Sequence, residues 1–142
     1  MPLFKRKPKP TKIASLDDLG PMIASGQPIL VDLHQPNCRS CKIMDGIVNE
    51  LADEYGGSAH VVKLDVTTVP GAIEEFKVRS TPTFVLIGRA PDKRNKKARR
   101  RPPDESRPMS QRWRTSGLVK KDELVRVLES NGAARRTDDE DD

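Results

Sequence analysis

Apolar residues in this chain follow two periods, and the switches between them mark the elements. Pro28-Ile29-Leu30-Val31-Asp32-Leu33 is a near-continuous apolar run, which predicts a central parallel strand covered on both faces. From Cys41 the apolar positions Ile43, Met44, Ile47, Val48 and Leu51 keep helical spacing to Tyr55, where Gly56-Gly57 supplies the stop. His60 to Val66 and Thr83 to Ile87 read as two further strands. Ser15-Leu16-Asp17-Asp18 has the form of a capping box, and Leu16, Leu19 and Ile23 give a first helix one apolar face up to Ser25-Gly26. Thr68 is expected to cap the short helix Ala72 to Phe76, with Pro70 in its first turn. Gln111 to Thr115 is expected as a last edge strand, and Val119, Leu124, Val127 and Leu128 as one face of a closing helix. The predicted order is β-α-β-α-β-α-β-β-α, an α/β domain, with the chain before it joining an edge strand near Ile13.

Composition divides the 142 residues further. Residues 1–12 are Lys/Pro-rich and are expected to be a basic flexible arm, residues 13–130 the folded domain, and residues 131–142 an acidic disordered tail. The net charge of +5 hides an asymmetry. Ile13 to Gly88 carries five basic and ten acidic residues, whereas Arg89 to Arg114 carries eleven basic and three acidic. Residues 89–111 lack apolar periodicity and are expected to be a disordered basic insertion in the last hairpin. Such an insertion fits a solubilising spacer, or a site for an anionic partner or nucleic acid bound by counterion release, although no interleaved aromatics specify a nucleic-acid mode. Trp113 is expected to pack on the edge strand. No run approaches the roughly 20 apolar residues of a membrane span, and the first residues lack the apolar stretch of a secretory signal. A reducing cytoplasm and no membrane partner are the expectations.

The only cysteines are Cys38 and Cys41, at the junction between the apolar strand and the long helical pattern. Two residues between them permit a small disulfide, and a first thiol at a helix N-terminus faces unpaired N–H groups that favour the thiolate. In a reducing compartment this spacing reads as catalytic or metal-binding rather than as a structural staple. His34, Cys38 and Cys41 offer three metal ligands, but a structural zinc site is four-coordinate and no convincing fourth ligand is present. No metal and no cofactor are expected. Asp32 interrupts a run that should be buried, where an unpaired carboxylate costs several kcal/mol or stays protonated with a raised pKa.

Taken together, Ile29 to Leu33 leading to Cys38-Arg39-Ser40-Cys41-Lys42, then Val62-Lys63-Leu64-Asp65-Val66, then Val78-Arg79-Ser80-Thr81-Pro82-Thr83 resemble successive blocks of the thioredoxin family. The resemblance implies a thioredoxin fold, a central mixed β-sheet flanked by helices. It implies a thiol-disulfide oxidoreductase that reduces protein disulfides and is recharged by a thiol or by a flavoprotein reductase. Cys38 would be the attacking thiol, with a pKa in the range of about 3.5–7.5, and Cys41 the resolving thiol. Asp32 would exchange a proton with Cys41, and Lys63 on the neighbouring strand would partner Asp32 directly or through water. Pro82 resembles the family's cis-proline, leaving the Thr81 backbone free to pair with an extended substrate.

The chain departs from the family at Asn37, where Trp is usual, at Arg39-Ser40, where Gly-Pro is usual, at Gly46, where a kinking Pro is common, and at His34, usually aromatic. These positions bear on recognition and leave the dithiol chemistry intact. Arg39 stabilises the thiolate beside the substrate surface, but a partly exposed charge moves the potential by only roughly 10–20 mV. A monomer is expected. The alternative is a redox-inert adaptor of the same fold that binds an anionic partner through the basic segment.

Overall fold

The computed structural model describes residues 8–90 and 107–137. Five strands form one mixed sheet in the order β1-β3-β2-β4-β5. These are β1 (Thr11–Lys12), β2 (Ile29–His34), β3 (His60–Asp65), β4 (Thr83–Arg89) and β5 (Met109–Ser116). β1 and β2 run parallel to β3, whereas β2–β4 and β4–β5 are antiparallel. The helices are α1 (Leu19–Ser25), α2 (Arg39–Tyr55), α3 (Ala72–Phe76) and α4 (Lys121–Ser130). The element order is the one the apolar pattern predicts, and the mixed sheet with flanking helices is the one the thioredoxin resemblance implies.

The two-residue period of β2 explains the layering. Leu30 joins Met44, Val48, Leu51 and Tyr55 of α2 and Leu124, Val127 and Leu128 of α4 in one apolar cluster. Ile29, Val31 and Leu33 point the other way, into a second cluster with Leu19, Val69, Ala72 and Phe76. Both faces of the central strand are therefore dry, which is why its sequence reads as a continuous run. Trp113 packs partly buried against the first cluster.

Several expectations need correction. The Ser15 box forms, with Asp17 N donating to Ser15 Oγ at 3.2 Å and Ser15 N to Asp18 Oδ2 at 3.2 Å, but it opens a 3-10 turn, Leu16–Asp18, ahead of α1. Thr68 does not cap α3; Gly71 holds that place, at φ 79°. The intervening turn is organised by Asp65, whose carboxylate accepts from Thr67 N at 2.8 Å and Thr67 Oγ1 at 2.6 Å. The outer residues of the expected 89–111 insertion are strand: Arg89 pairs with Met109, Gly88 with Ser110 and Ile87 with Gln111. Met109 packs against the second cluster, which repays ordering of those residues. Residues 91–106 of the basic segment, 1–7 of the arm and 138–142 of the tail lie outside the described residues. The first part of the expected tail is docked: Ala133 is buried, Arg136 N donates to Glu54 O at 2.7 Å, and Arg136 pairs with Asp53 at 3.1 Å. Among the described residues no helix is long and apolar enough to cross a membrane.

Candidate active site

The site lies where β2 ends, α2 begins and the turn before β4 arrives. Cys38 is the N-cap of α2, so the helix starts at Arg39, two residues earlier than its apolar pattern indicates. Cys38 and Cys41 are joined in a disulfide with their Cα atoms 5.2 Å apart. Cys38 Sγ accepts from Cys41 N at 3.2 Å, as a capping atom does. Cys38 is half-buried and Cys41 is buried one turn further in. Asn37, just before the cap, holds φ 61°, a left-handed conformation that asparagine tolerates.

The Thr81–Pro82 bond is cis. It brings Thr81 against the dithiol, with Thr81 Oγ1 donating to Cys38 Sγ at 3.3 Å and the Thr81 carbonyl oxygen 3.5 Å from the same sulfur. Gly117 N donates to Pro82 O at 2.8 Å, tying this turn to the residue after β5. Arg39 is exposed on the first turn of α2.

On β2, the strand that leads into the dithiol, Asp32 is 1% exposed and neither carboxylate oxygen has a hydrogen-bond partner. Burial, opposed by Lys63 and assisted by Asp45, raises its pKa from the ordinary 3.8 to about 7. Lys63 is the cross-strand neighbour of Asp32 in the β2–β3 register. The expectation is that Lys63 partners Asp32 directly or through water; no direct hydrogen bond joins them, and Lys63 Nζ bonds to Asp45 Oδ1 of α2 at 2.8 Å. The Asp45 side chain is 43% exposed whereas Asp32 is buried, and an ammonium pairs at less desolvation cost with the carboxylate that water reaches. His34, half-buried at the end of β2, is held below its ordinary 6.5 by burial first and by Lys63 next, so its imidazole is neutral at pH 7.

The structure thus brings Cys38, Cys41 and Thr81-Pro82 together and makes Asp32 and Lys63 register partners on neighbouring strands β2 and β3. Sequence reasoning missed Asp45 and the Thr81 hydroxyl. Asp45 lies four residues after Cys41, on the same helical face, and that spacing was the available signal. Among the described residues no group of three or more His, Cys, Asp or Glu side chains is arranged to hold a metal.

A family model for thioredoxin matches residues 15–104. The thioredoxin of Haemophilus influenzae is 38% identical over 66 residues, 46% of this chain and 62% of that protein. The chloroplastic M-type thioredoxin of Spinacia oleracea is 35% identical over 66 residues, 46% of this chain and 36% of that protein. The chain therefore spans less than two thirds of the length of these curated relatives. In fold it is similar to a mutant thioredoxin from Halobacterium salinarum NRC-1, with a TM-score of 0.67 at 22% identity over 90% of this chain and 96% of that one. The family match takes in β2, the dithiol, β3 and the cis-proline turn as one continuous stretch, and on that match the chain belongs to the thioredoxin family.

Proposed function

We propose that this protein is a thiol-disulfide oxidoreductase that reduces disulfides in protein substrates. The observation that carries the reading is the Cys38–Cys41 disulfide at the start of α2, its half-buried sulfur facing Thr81-Pro82 and its buried one directed inward. In the reduced protein the Cys38 thiolate attacks a substrate disulfide, forming a mixed disulfide and expelling one substrate thiolate. Cys41 then gives its proton to the Asp32 carboxylate, attacks Cys38 Sγ and releases the second substrate thiolate. The product is the intramolecular disulfide, and a thiol or a flavoprotein reductase returns the two electrons. The Cys41 N–H and the Thr81 hydroxyl both donate to Cys38 Sγ, an arrangement that favours its thiolate. The Thr81 backbone offers an extended substrate segment a place to pair, and Arg39, next to Cys38 in the chain, is exposed to meet it. A reducing cytoplasm is the setting in which the dithiol would be kept ready.

Insulin reduction driven by dithiothreitol tests the reading. Catalysis by the native protein that vanishes in Cys38→Ser supports it, and equal rates in the two proteins reject it. Cys41→Ser should accumulate mixed disulfides on Cys38, identifying the substrates.

A further inference from the structure

Lys63 stands between two carboxylates that differ in every relevant respect. Asp32, its neighbour across β2 and β3, is 1% exposed and has no hydrogen-bond partner. Asp45 comes from the overlying helix α2, and its side chain is 43% exposed. The ammonium lies 2.8 Å from Asp45 Oδ1, and the Lys63 side chain is only 15% exposed. One cation thus serves the carboxylate outside the core and leaves the one inside it unpaired.

We propose that Asp45 is a positioning residue: by holding the Lys63 ammonium in an ion pair on α2, it leaves Asp32 without a cationic partner and so tunes the proton transfer between Asp32 and Cys41. The proposal rests on the disulfide exchange set out above. Two effects act in the same direction. The pair engages the ammonium that faces Asp32 in the β2–β3 register, and the Asp45 carboxylate adds a like charge. Both make the Asp32 carboxylate a stronger base toward the Cys41 S–H, the property that a general base needs near neutral pH. The remaining charged neighbourhood is small. β1 contributes Lys12, opposite Lys63; β3 contributes Lys63 and, opposite His34, Asp65; β2 contributes His34 itself; β4 places Phe84 beside Asp32; α2 supplies Asp45; and α4 packs apolar Leu124 in the same layer as Phe84. His34 is held neutral at pH 7, so Lys63 and Asp45 are the charges that decide the field at Asp32.

The test follows the Asp32 carboxyl carbon by NMR against pH in the oxidised full-length protein, a readout independent of turnover. In Asp45→Asn the Asp32 midpoint should fall by roughly half a pH unit, the scale set by one half-exposed charge. Asp45→Glu, which can still reach Lys63, should restore the native midpoint, and the fall should be smaller in a Lys63→Met background. In single-turnover resolution of a mixed disulfide, the rising limb for Asp45→Asn should move down by the same amount, and the rate on its plateau should drop about twofold as the base weakens. An unchanged or raised Asp32 midpoint in Asp45→Asn overturns the proposal. A fall of full size without Lys63 overturns the role given to the lysine. If the native protein fails to reduce insulin, the proposed exchange is lost, while the NMR midpoint still decides whether Asp45 governs Asp32.

Discussion

Replacing Asp32 by asparagine should stabilise the oxidised protein at neutral and alkaline pH relative to acid pH. Asp32 is buried, unpartnered and raised from 3.8 to about 7. An acid whose folded pKa is raised binds more protons in the native state than in the unfolded one, so stability declines as pH rises between the two values. Below about pH 4 the carboxyl is protonated in both states, and above about pH 7 the folded protein bears the full cost. A rise of about three pH units at ~1.4 kcal/mol each gives roughly 4 kcal/mol. Asparagine does not titrate but leaves its own pH-independent cost, an amide buried without partners. The informative quantity is therefore the stability difference between Asp32→Asn and the native protein as a function of pH. Urea unfolding of both oxidised proteins across this range should show that difference growing by roughly 4 kcal/mol in favour of the variant, most of it between about pH 4.5 and 7. A difference constant to within ~1 kcal/mol would show that the Asp32 carboxyl is hydrated or paired in solution, and the burial argument would fail.

Further expectations concern activity and packing. Asp32→Asn should slow resolution of the mixed disulfide by about tenfold or more at pH 7.5 and by less at pH 5.5, where the native carboxylate is itself protonated; stopped-flow resolution reads both. Thr81→Val removes the hydroxyl that donates to Cys38 Sγ and should slow iodoacetamide alkylation of Cys38 in the reduced protein at neutral pH, measured by mass spectrometry. Leu124→Ala empties a fully buried position between α4 and the sheet, and thermal or urea unfolding should record a loss of about 2–5 kcal/mol. Arg114→Ala removes donors to the carbonyls of Phe76 and Lys77 at the end of α3, 2.7 and 3.2 Å away, and should cost about 1–3 kcal/mol in the same assay.

The central layers were legible because their signals are local. A strand buried on both faces must be apolar throughout, and a helix over it must repeat every three to four residues, so β2 and α2 stand out. Asp32 was conspicuous for the same reason, as a charge inside a dry run. What failed were features that depend on where one element lies over another. The Lys63–Asp45 pair joins residues 18 apart on a strand and a helix; the four-residue spacing puts Asp45 on the Cys41 face of α2, but it does not show that this residue overhangs Lys63 of β3. The turn before α3 was misread because Thr68 and Pro70 have the right chemistry for a helix start, while Asp65 competes with a tighter local bond. The docked residues 133–137 looked solvated, since a single buried alanine and two arginines paired with α2 carboxylates leave no apolar pattern.

The β4–β5 hairpin has a geometric consequence for handling this protein. Thr83, at one end of β4, follows the turn beside Cys38; Arg89, at the other, pairs with Met109. Six residue steps along an antiparallel strand carry the chain about 20 Å. Ala90 and Arg107 close the remote end, with Ala90 N donating to Pro108 O at 3.0 Å and Arg107 Nη1 donating to Ala90 O at 2.7 Å. A dye, affinity tag or surface tether attached at Ala90 or Arg107 would thus be anchored at the opposite end of the sheet, making this end of the hairpin the natural attachment point for single-molecule or immobilised measurements that must leave the disulfide accessible.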